Sequence, residues 1–180
     1  MMIEISPDQA FQIDFNFQQV ASAMGIDISP EIAALMLNIP LELLTAYTAQ
    51  AFAECRRVAQ SLLDKPGTLE AIHKLKTPRK DATSTILTVG DSITTYRYGY
   101  AEILRALLGL VEPQQAVNFF NHGRSGYTST HGLEHTFTIY LAQKPDWVFL
   151  KYGANDCKLF GGKGGKLLVS RLLDIVRRDA

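Results

Sequence analysis

Three short apolar segments, separated by stretches with helical periodicity, limit the fold of this chain more than any other feature. They span residues 86–89, 116–120 and 146–152, and each leads into a turn rich in Gly, Asn, Asp or Ser. A buried strand of a parallel sheet is a continuous apolar run, and strands that alternate with helices favour a parallel sheet. Apolar stripes at helical spacing lie between the segments: Ile103, Leu104, Leu107 and Leu108, then Leu133, Phe137 and Leu141. We therefore predict an α/β fold with helices on both faces of the sheet.

The turns after these segments carry chemically useful side chains. Open α/β sheets bind ligands at the carboxyl ends of their strands. Ser92 follows the first segment, a glycine-rich block at 121–128 follows the second, and Asn155 follows the third. Taken singly, these residues are also typical of helix caps and turns. Their occurrence after three successive segments indicates a common site.

Taken together, the three blocks resemble those of the SGNH (GDSL-type) hydrolases. That family carries a Gly-Asp-Ser block, a glycine block and a Gly-x-Asn-Asp block, which stand here at 90–92, 121–128 and 153–156. The resemblance covers about residues 84–170. It implies a flavodoxin-like three-layer parallel sheet of strand order 2-1-3-4-5, of which three strands would be present. It also implies hydrolysis of a small-molecule carboxylic ester through an acyl-enzyme, without metal or cofactor.

The resemblance assigns roles to individual residues. Ser92 corresponds to the nucleophile, and Gly126 and Asn155 complete an oxyanion hole with the Ser92 backbone N–H. Gly123 is the alternative to Gly126. These residue types suit the reaction, because preorganised N–H donors stabilise the oxyanion of the tetrahedral intermediate. A glycine also lets the backbone approach the substrate without a Cβ in the way.

The proton-transfer group of the family has no counterpart in the sequence. The family supplies its base from a C-terminal Asp-x-x-His block, whereas no histidine follows His135 and none of the four histidines has an aspartate three residues before it. A serine hydroxyl needs a base to become a good nucleophile. We therefore expect a weak or inactive serine esterase, with an acyltransferase of the same fold and a non-catalytic binding or regulatory protein as alternatives. We also expect the reading frame beyond codon 180 to encode the remaining strands and this block.

Residues 1–80 predict a helical module that precedes the α/β domain at 81–180. Ser6-Pro7 and Ser29-Pro30 each place an N-cap before a first-turn proline, and Pro40 begins a helix that runs to about Leu63. Thr68 is the predicted cap of a short helix through Lys76. Residues 77–81 are the predicted linker.

Composition bears on partners and location. Eighteen basic and eighteen acidic residues balance, so no net charge favours nucleic acid. The apolar stretch 32–52 is interrupted by Pro40 and Glu42, which argues against a membrane span, and the N-terminus lacks the pattern of a signal peptide. We therefore predict a cytoplasmic location.

Metal and disulfide sites are not predicted either. Cys55 and Cys157 are too few for a disulfide framework or a zinc site. His131, Glu134 and His135 match a zinc-peptidase spacing, but no glutamate follows Glu134 to serve as a third ligand. A polar helix face is the favoured interpretation of these three residues.

The third strand would form an edge of the sheet. An exposed apolar edge favours association between chains, so we predict self-association there unless another segment covers it. One candidate cover is the tail, where Leu168, Leu172, Ile175 and Val176 lie on one face of a helix, with arginines nearby at 171, 177 and 178.

Overall fold

The computed structural model describes residues 4–16, 29–78 and 83–161, with helices on both faces of a parallel sheet. The strands are β1 (Ser84–Gly90), β2 (Val117–Gly123) and β3 (Trp147–Lys151). The α-helices are α1 (Pro7–Phe11), α2 (Pro30–Leu37), α3 (Leu41–Leu63), α4 (Thr68–Lys76), α5 (Ser92–Thr95), α6 (Tyr100–Leu110), α7 (Ser129–His135) and α8 (Ala154–Gly161). Two π-helical turns (Gln12–Asn16 and Thr136–Tyr140) and one 3-10 turn (Leu141–Gln143) complete the described elements.

The sheet has the order β2-β1-β3, and all its strands are parallel. Ile86 of β1 lies beside Phe119 and Trp147, and Gly90 lies beside Gly123 and Lys151. Every residue of the central strand β1 is buried, as its continuous apolar run predicts. The α/β fold with a parallel sheet is therefore confirmed, and the three carboxyl ends meet at one edge.

One face of the sheet packs against α3, α4 and α6. Successive strand residues point to opposite faces, and Ile86 points to this one. The buried residues of its core come from all of these helices and from β1: Ala59, Ile72, Ile86, Leu107, Leu108 and Val111. Helices α3 and α4, which precede the linker, thus share one hydrophobic core with the sheet.

A buried lysine closes this layer. Lys76, at the end of α4, is 1% exposed, and its ammonium donates hydrogen bonds to the carbonyls of Leu108, Val111 and Glu112 at 2.5–3.0 Å. These carbonyls lie at the C-terminal end of α6, where a helix leaves acceptors unsatisfied and favours positive charge. Burial lowers the pKa of Lys76. The ammonium group therefore joins α4 to α6.

The opposite face is only partly covered. Leu87 and Val89 of β1 pack against Tyr140 and Tyr152. Leu133 and Leu141 of the predicted apolar stripe are 68% and 50% exposed, and the single α-helix that the stripe predicted is not formed. The α-helix ends at His135 and a π-helical turn follows. Its wider turn breaks the 3.6-residue period on which the stripe depends.

The predicted helix starts are mostly confirmed. Ser6 and Ser29 cap α1 and α2 through their side chains, and α3 runs from Leu41 to Leu63. The cap of α4 is Gly67, with a left-handed φ of 80°, and Thr68 is the first helical residue. Among the described residues no helix alone is long and apolar enough to span a membrane, and α2 with α3 would do so only as a pair bent by 109°. The linker beyond residue 78 and the predicted tail helix lie outside the described residues.

The N-terminal π-helical turn docks onto the loop that follows α5. Phe15 stacks on Tyr96 with ring centroids 4.8 Å apart, and Arg97 Nη2 donates to the Ile13 carbonyl at 3.1 Å. The Tyr47 hydroxyl donates to Asp14 Oδ2 at 3.0 Å. Residues far apart in sequence are thereby joined next to the short helix that begins at Ser92.

This contact makes stability depend on pH through Asp14. Burial raises the pKa of the Asp14 carboxyl, opposed by the hydrogen bond from Tyr47 and the charge of Arg97. The folded state then binds the proton more tightly than the unfolded chain, so stability decreases as pH rises through the raised pKa. We expect Asp14→Asn to increase the free energy of unfolding at neutral pH, because the amide carries no charge that burial would penalise. Urea unfolding at neutral and acid pH measures this, and the gain should disappear at acid pH. A variant less stable than wild type at both would contradict the prediction.

Candidate active site

Backbone hydrogen bonds join the carboxyl ends of all three strands. The Arg124 N–H, after β2, donates to the Gly90 carbonyl at 2.9 Å. The Asp91 N–H, after β1, donates to the Lys151 carbonyl of β3 at 3.2 Å. The Gly-Asp-Ser turn therefore lies between the glycine block and the Gly-x-Asn-Asp block, as the sequence predicts for neighbouring parallel strands.

Two glycines allow α5 to lie directly on the strand ends. A Cβ at Gly90 would collide with the Lys151 carbonyl and the Thr94 side chain. A Cβ at Gly123 would collide with the backbone of Thr95 and Thr94. Gly123 is buried in this contact, so the structure gives it a packing role.

Ser92 is the first residue of α5 and is half-buried at this edge. Asp91 is the N-cap of α5, is fully buried, and accepts a hydrogen bond from the Ile93 N–H at 3.0 Å. Within the described parts of the chain, neither the hydroxyl nor the N–H of Ser92 makes a hydrogen bond. The first N–H groups of a helix lack intrahelical acceptors, so the Ser92 N–H is available to an anionic ligand.

Gly126 lies in the loop after β2, and Asn155 lies in the first turn of α8, which follows β3. Gly126 has a left-handed φ of 79° and is exposed, with open space where a Cβ would stand. Asn155 is at the start of α8, and its Nδ2 donates to the Tyr127 carbonyl at 2.9 Å. Asn155 thus holds the turn that contains Gly126, and a carboxamide keeps a second N–H for another acceptor. In the part of the chain that the structure describes, Ser92 is hydrogen-bonded to neither Gly126 nor Asn155.

Asp156 has a positioning role that the sequence analysis missed. Its carboxylate accepts hydrogen bonds from the Ser129 hydroxyl at 2.6 Å and from the Gly153 N–H at 3.1 Å. The bond from the Ser129 side chain lowers the pKa of Asp156. Asp156 thereby joins the start of α8 to the start of α7 and fixes the loop that carries Asn155. The sequence feature that could have indicated this role is the position of Asp156, a second polar residue directly after Asn155.

Three histidines lie near this edge, and two of them make hydrogen bonds to residues other than Ser92. His131 Nδ1 accepts a hydrogen bond from the Thr128 N–H at 3.1 Å, which leaves the proton of the neutral ring on Nε2. His122 Nε2 faces the Gln143 amide, and burial lowers the pKa of its imidazole. The His135 ring stacks on Tyr127 with centroids 5.8 Å apart.

A general base for Ser92 is therefore not identified within the described residues. The fourth histidine, His73, lies 3.5 Å from the Glu112 carboxylate and belongs to the layer formed by α4 and α6. Metal ligands are likewise not grouped here: no cluster of three His, Cys, Asp or Glu side chains among the described residues could hold an ion. The edge offers a serine hydroxyl and N–H donors for an ester carbonyl.

Comparison with known proteins adds no relative to these observations. No protein-family model, no curated protein and no solved structure matches the chain. The interpretation of this edge therefore depends on its own residues and their arrangement.

Proposed function

We propose that the carboxyl edge of the sheet is a serine-based ester site of the SGNH (GDSL) type. Ser92 is the nucleophile, and the N–H groups of Ser92 and Gly126 and the second amide hydrogen of Asn155 are the oxyanion donors. The observation that carries this proposal is the meeting of all three sequence blocks at one edge. Two hydrogen bonds hold them there, from Arg124 to Gly90 and from Asn155 to Tyr127.

The strand order supports the same proposal. The order β2-β1-β3, with every strand parallel, is the beginning of the flavodoxin-like order 2-1-3-4-5 that the resemblance implies. Helices α6 and α7 follow β1 and β2, and Tyr140, after α7, covers the sheet face opposite the core that contains α6. We infer that the domain is of this three-layer type.

The reaction would proceed through an acyl-enzyme. The Ser92 hydroxyl oxygen bonds to the ester carbonyl carbon and gives its proton to a solvent water, and the carbonyl oxygen becomes an oxyanion held by the N–H donors. The tetrahedral intermediate then expels the alcohol, which takes up a proton. Water attacks the acyl-enzyme and releases the carboxylic acid, whereas an acceptor alcohol would make the same site an acyltransferase.

A non-catalytic ester-binding module is the second candidate. It is favoured by one observation, that none of the described histidines or carboxylates is hydrogen-bonded to the Ser92 hydroxyl. Such a module would bind an ester at the same edge and release it unchanged. Binding without product formation, measured by calorimetry and by titration of released acid, distinguishes it from an esterase.

A serine-directed fluorophosphonate tests the role of Ser92. With imidazole added as an external base, we expect the probe to label the full chain at Ser92 and Ser92→Ala to lose at least about tenfold of the labelling, because the substitution removes the nucleophile but little packing volume. Ser125→Ala is the matched control, since Ser125 is half-buried in the glycine block at the same edge, and it should label like wild type. Modification of a different residue, or equal labelling of Ser92→Ala, would remove Ser92 from the proposal.

A further inference from the structure

An apolar groove opens on the partly covered face of the sheet. Its volume is about 440 Å³, which lies within the roughly 300–1,000 Å³ of typical small-molecule sites. Two leucines of its lining, Leu133 and Leu150, are 68% and 71% exposed. A contiguous apolar surface on a soluble protein marks a place where a ligand or partner binds. The apolar lining comes from β1, β3, α7 and the turns after α7: Val89, Leu133, Tyr140, Leu141, Val148 and Leu150.

One end of the groove reaches the edge of the sheet that carries the candidate active site. Val89 and Leu150 are paired in register, and each is the second-to-last residue of its strand. Ser129, the first residue of α7, also lines the groove. The Ser129 hydroxyl donates to the carboxylate of Asp156 at 2.6 Å, and Asp156 directly follows Asn155. The groove therefore adjoins the turn of α8 that carries a proposed oxyanion donor.

The lining of the groove suits a hydrocarbon chain. Among the described residues that line it, none is a Lys, Arg, Asp or Glu. The Thr136 hydroxyl donates to the Gly132 carbonyl at 3.0 Å, and the hydroxyl oxygens of Tyr140 and Tyr152 lie 3.5 Å apart. These hydroxyls are thus engaged within the protein, and mainly hydrocarbon surface is left along the groove. Burial of hydrocarbon there is favourable, whereas a charged ligand would lose water without gaining a charged partner.

We propose that this groove binds the acyl chain of the ester, an unbranched aliphatic chain of medium length. The inference rests on the proposed function, because it places the ester carbonyl at Ser92 and extends the acyl chain from there along β3. The groove follows the chain from residue 148 to residue 152, which is about 13 Å of extended backbone. An extended alkyl chain with C–C bonds of about 1.5 Å advances roughly 1.3 Å per bond, so the groove takes about eight to ten carbon atoms.

Two tyrosines give the groove a preorganised wall. A Cβ at Gly132 would collide with the ring of Tyr152, so this ring packs directly on the backbone of α7. Tyr140 and Tyr152 also pack against Leu87 and Val89 of β1. A preorganised apolar surface pays a smaller entropic cost when a ligand binds. The groove should therefore discriminate between acyl chains by their length.

Binding of intact esters to the full chain with Ser92→Ala tests the proposal without turnover. Methyl octanoate and methyl butyrate are compared for displacement of a dansyl-labelled fatty acid. Each fully buried methylene group adds about fourfold in affinity, so methyl octanoate, with its longer chain, should bind at least about tenfold more tightly than methyl butyrate. Equal affinities would overturn the groove proposal and leave the nucleophile untouched. Failure of the fluorophosphonate to label Ser92 would instead remove the esterase and leave a measured preference for the longer chain in place.

Two further variants locate the bound chain. Leu133→Asn and Leu150→Asn, each added to Ser92→Ala, replace largely exposed side chains and should weaken the binding of methyl octanoate at least about fivefold, with less effect on methyl butyrate. Leu35→Asn is the matched control, because Leu35 is an 81% exposed leucine of α2 that does not line the groove. It should bind both esters like Ser92→Ala alone. Unchanged binding of methyl octanoate by both groove variants would overturn the proposal. A dimer in gel filtration that either groove variant dissociates would also overturn it and would assign the groove to a second copy.

Discussion

The full chain is expected to hydrolyse short-chain aryl esters close to the background rate. Without a base, the Ser92 hydroxyl stays protonated, and general-base assistance alone is typically worth about 10²–10⁴-fold. His131 Nδ1 accepts a hydrogen bond from the Thr128 N–H, and His122 Nε2 is hydrogen-bonded to the Gln143 amide. Neither of these ring nitrogens is therefore available to Ser92. Oxyanion donors and binding alone leave roughly 10³–10⁴-fold over water in comparable sites. We therefore expect a total rate enhancement over water no higher than this range.

Imidazole in solution provides a direct test of the missing base. If the nucleophile and the donors are in place, added imidazole should raise the rate of wild type more than that of Ser92→Ala, which corrects for the reaction of imidazole with the ester itself. A monomer that turns over esters at about 1–10³ s⁻¹ without imidazole would refute the prediction. Alanine substitutions of His122, His131 and His135 would then identify the base, with His122→Ala made first.

Gly123→Ala should destabilise the fold by about 3 kcal/mol or more, because overpacking of a tight contact costs about 1–3 kcal/mol even where side chains can yield. Here the added methyl group would meet the backbone of Thr95 and Thr94, which cannot rotate away. Relief of the collision requires α5 to move off the strand ends. Labelling of Ser92 by the fluorophosphonate should therefore decrease together with the midpoint of urea unfolding.

Gly109→Ala is the matched control for this prediction. Gly109 lies in α6, is exposed, and has open space where a Cβ would stand. Alanine is favoured over glycine within helices by roughly 0.5–1 kcal/mol, so this variant should be slightly more stable than wild type. Equal stabilities of the two variants would show that α5 does not pack on Gly123.

The parts of the fold that depend on local sequence could be predicted. The boundaries of α3 follow from Pro40 and from the turn after Leu63, and β1 follows from its buried apolar run. The gathering of Ser92, Gly126 and Asn155 at one edge follows from parallel strands. Each of these predictions needs only the periodicity of apolar residues or the rule that the carboxyl ends of parallel strands meet at one edge of a sheet.

The parts that depend on tertiary contacts could not be predicted. The α-helix after β2 gives way to a π-helical turn at Thr136, and no local sequence pattern predicts this change. Docking of Phe15 on Tyr96 joins residues far apart in sequence. Asp156 looked like a turn residue because its partner Ser129 lies on another loop. Nearness in space, which these cases require, is not encoded in the spacing of residues along the chain.

The shared core of α3, α4 and β1 has a consequence for the order of events during synthesis. Helix α3 leaves the ribosome before β1 and α6. Its apolar face therefore stays exposed until the residues that pack against it have been synthesised. Contacts of such sequence separation form late and slow the folding of a domain. The nascent helices are therefore the stage at which this chain is most open to chaperones and proteases. Synthesis of residues 84–161 without them would expose the apolar side chains of α6 that pack against α3 and α4.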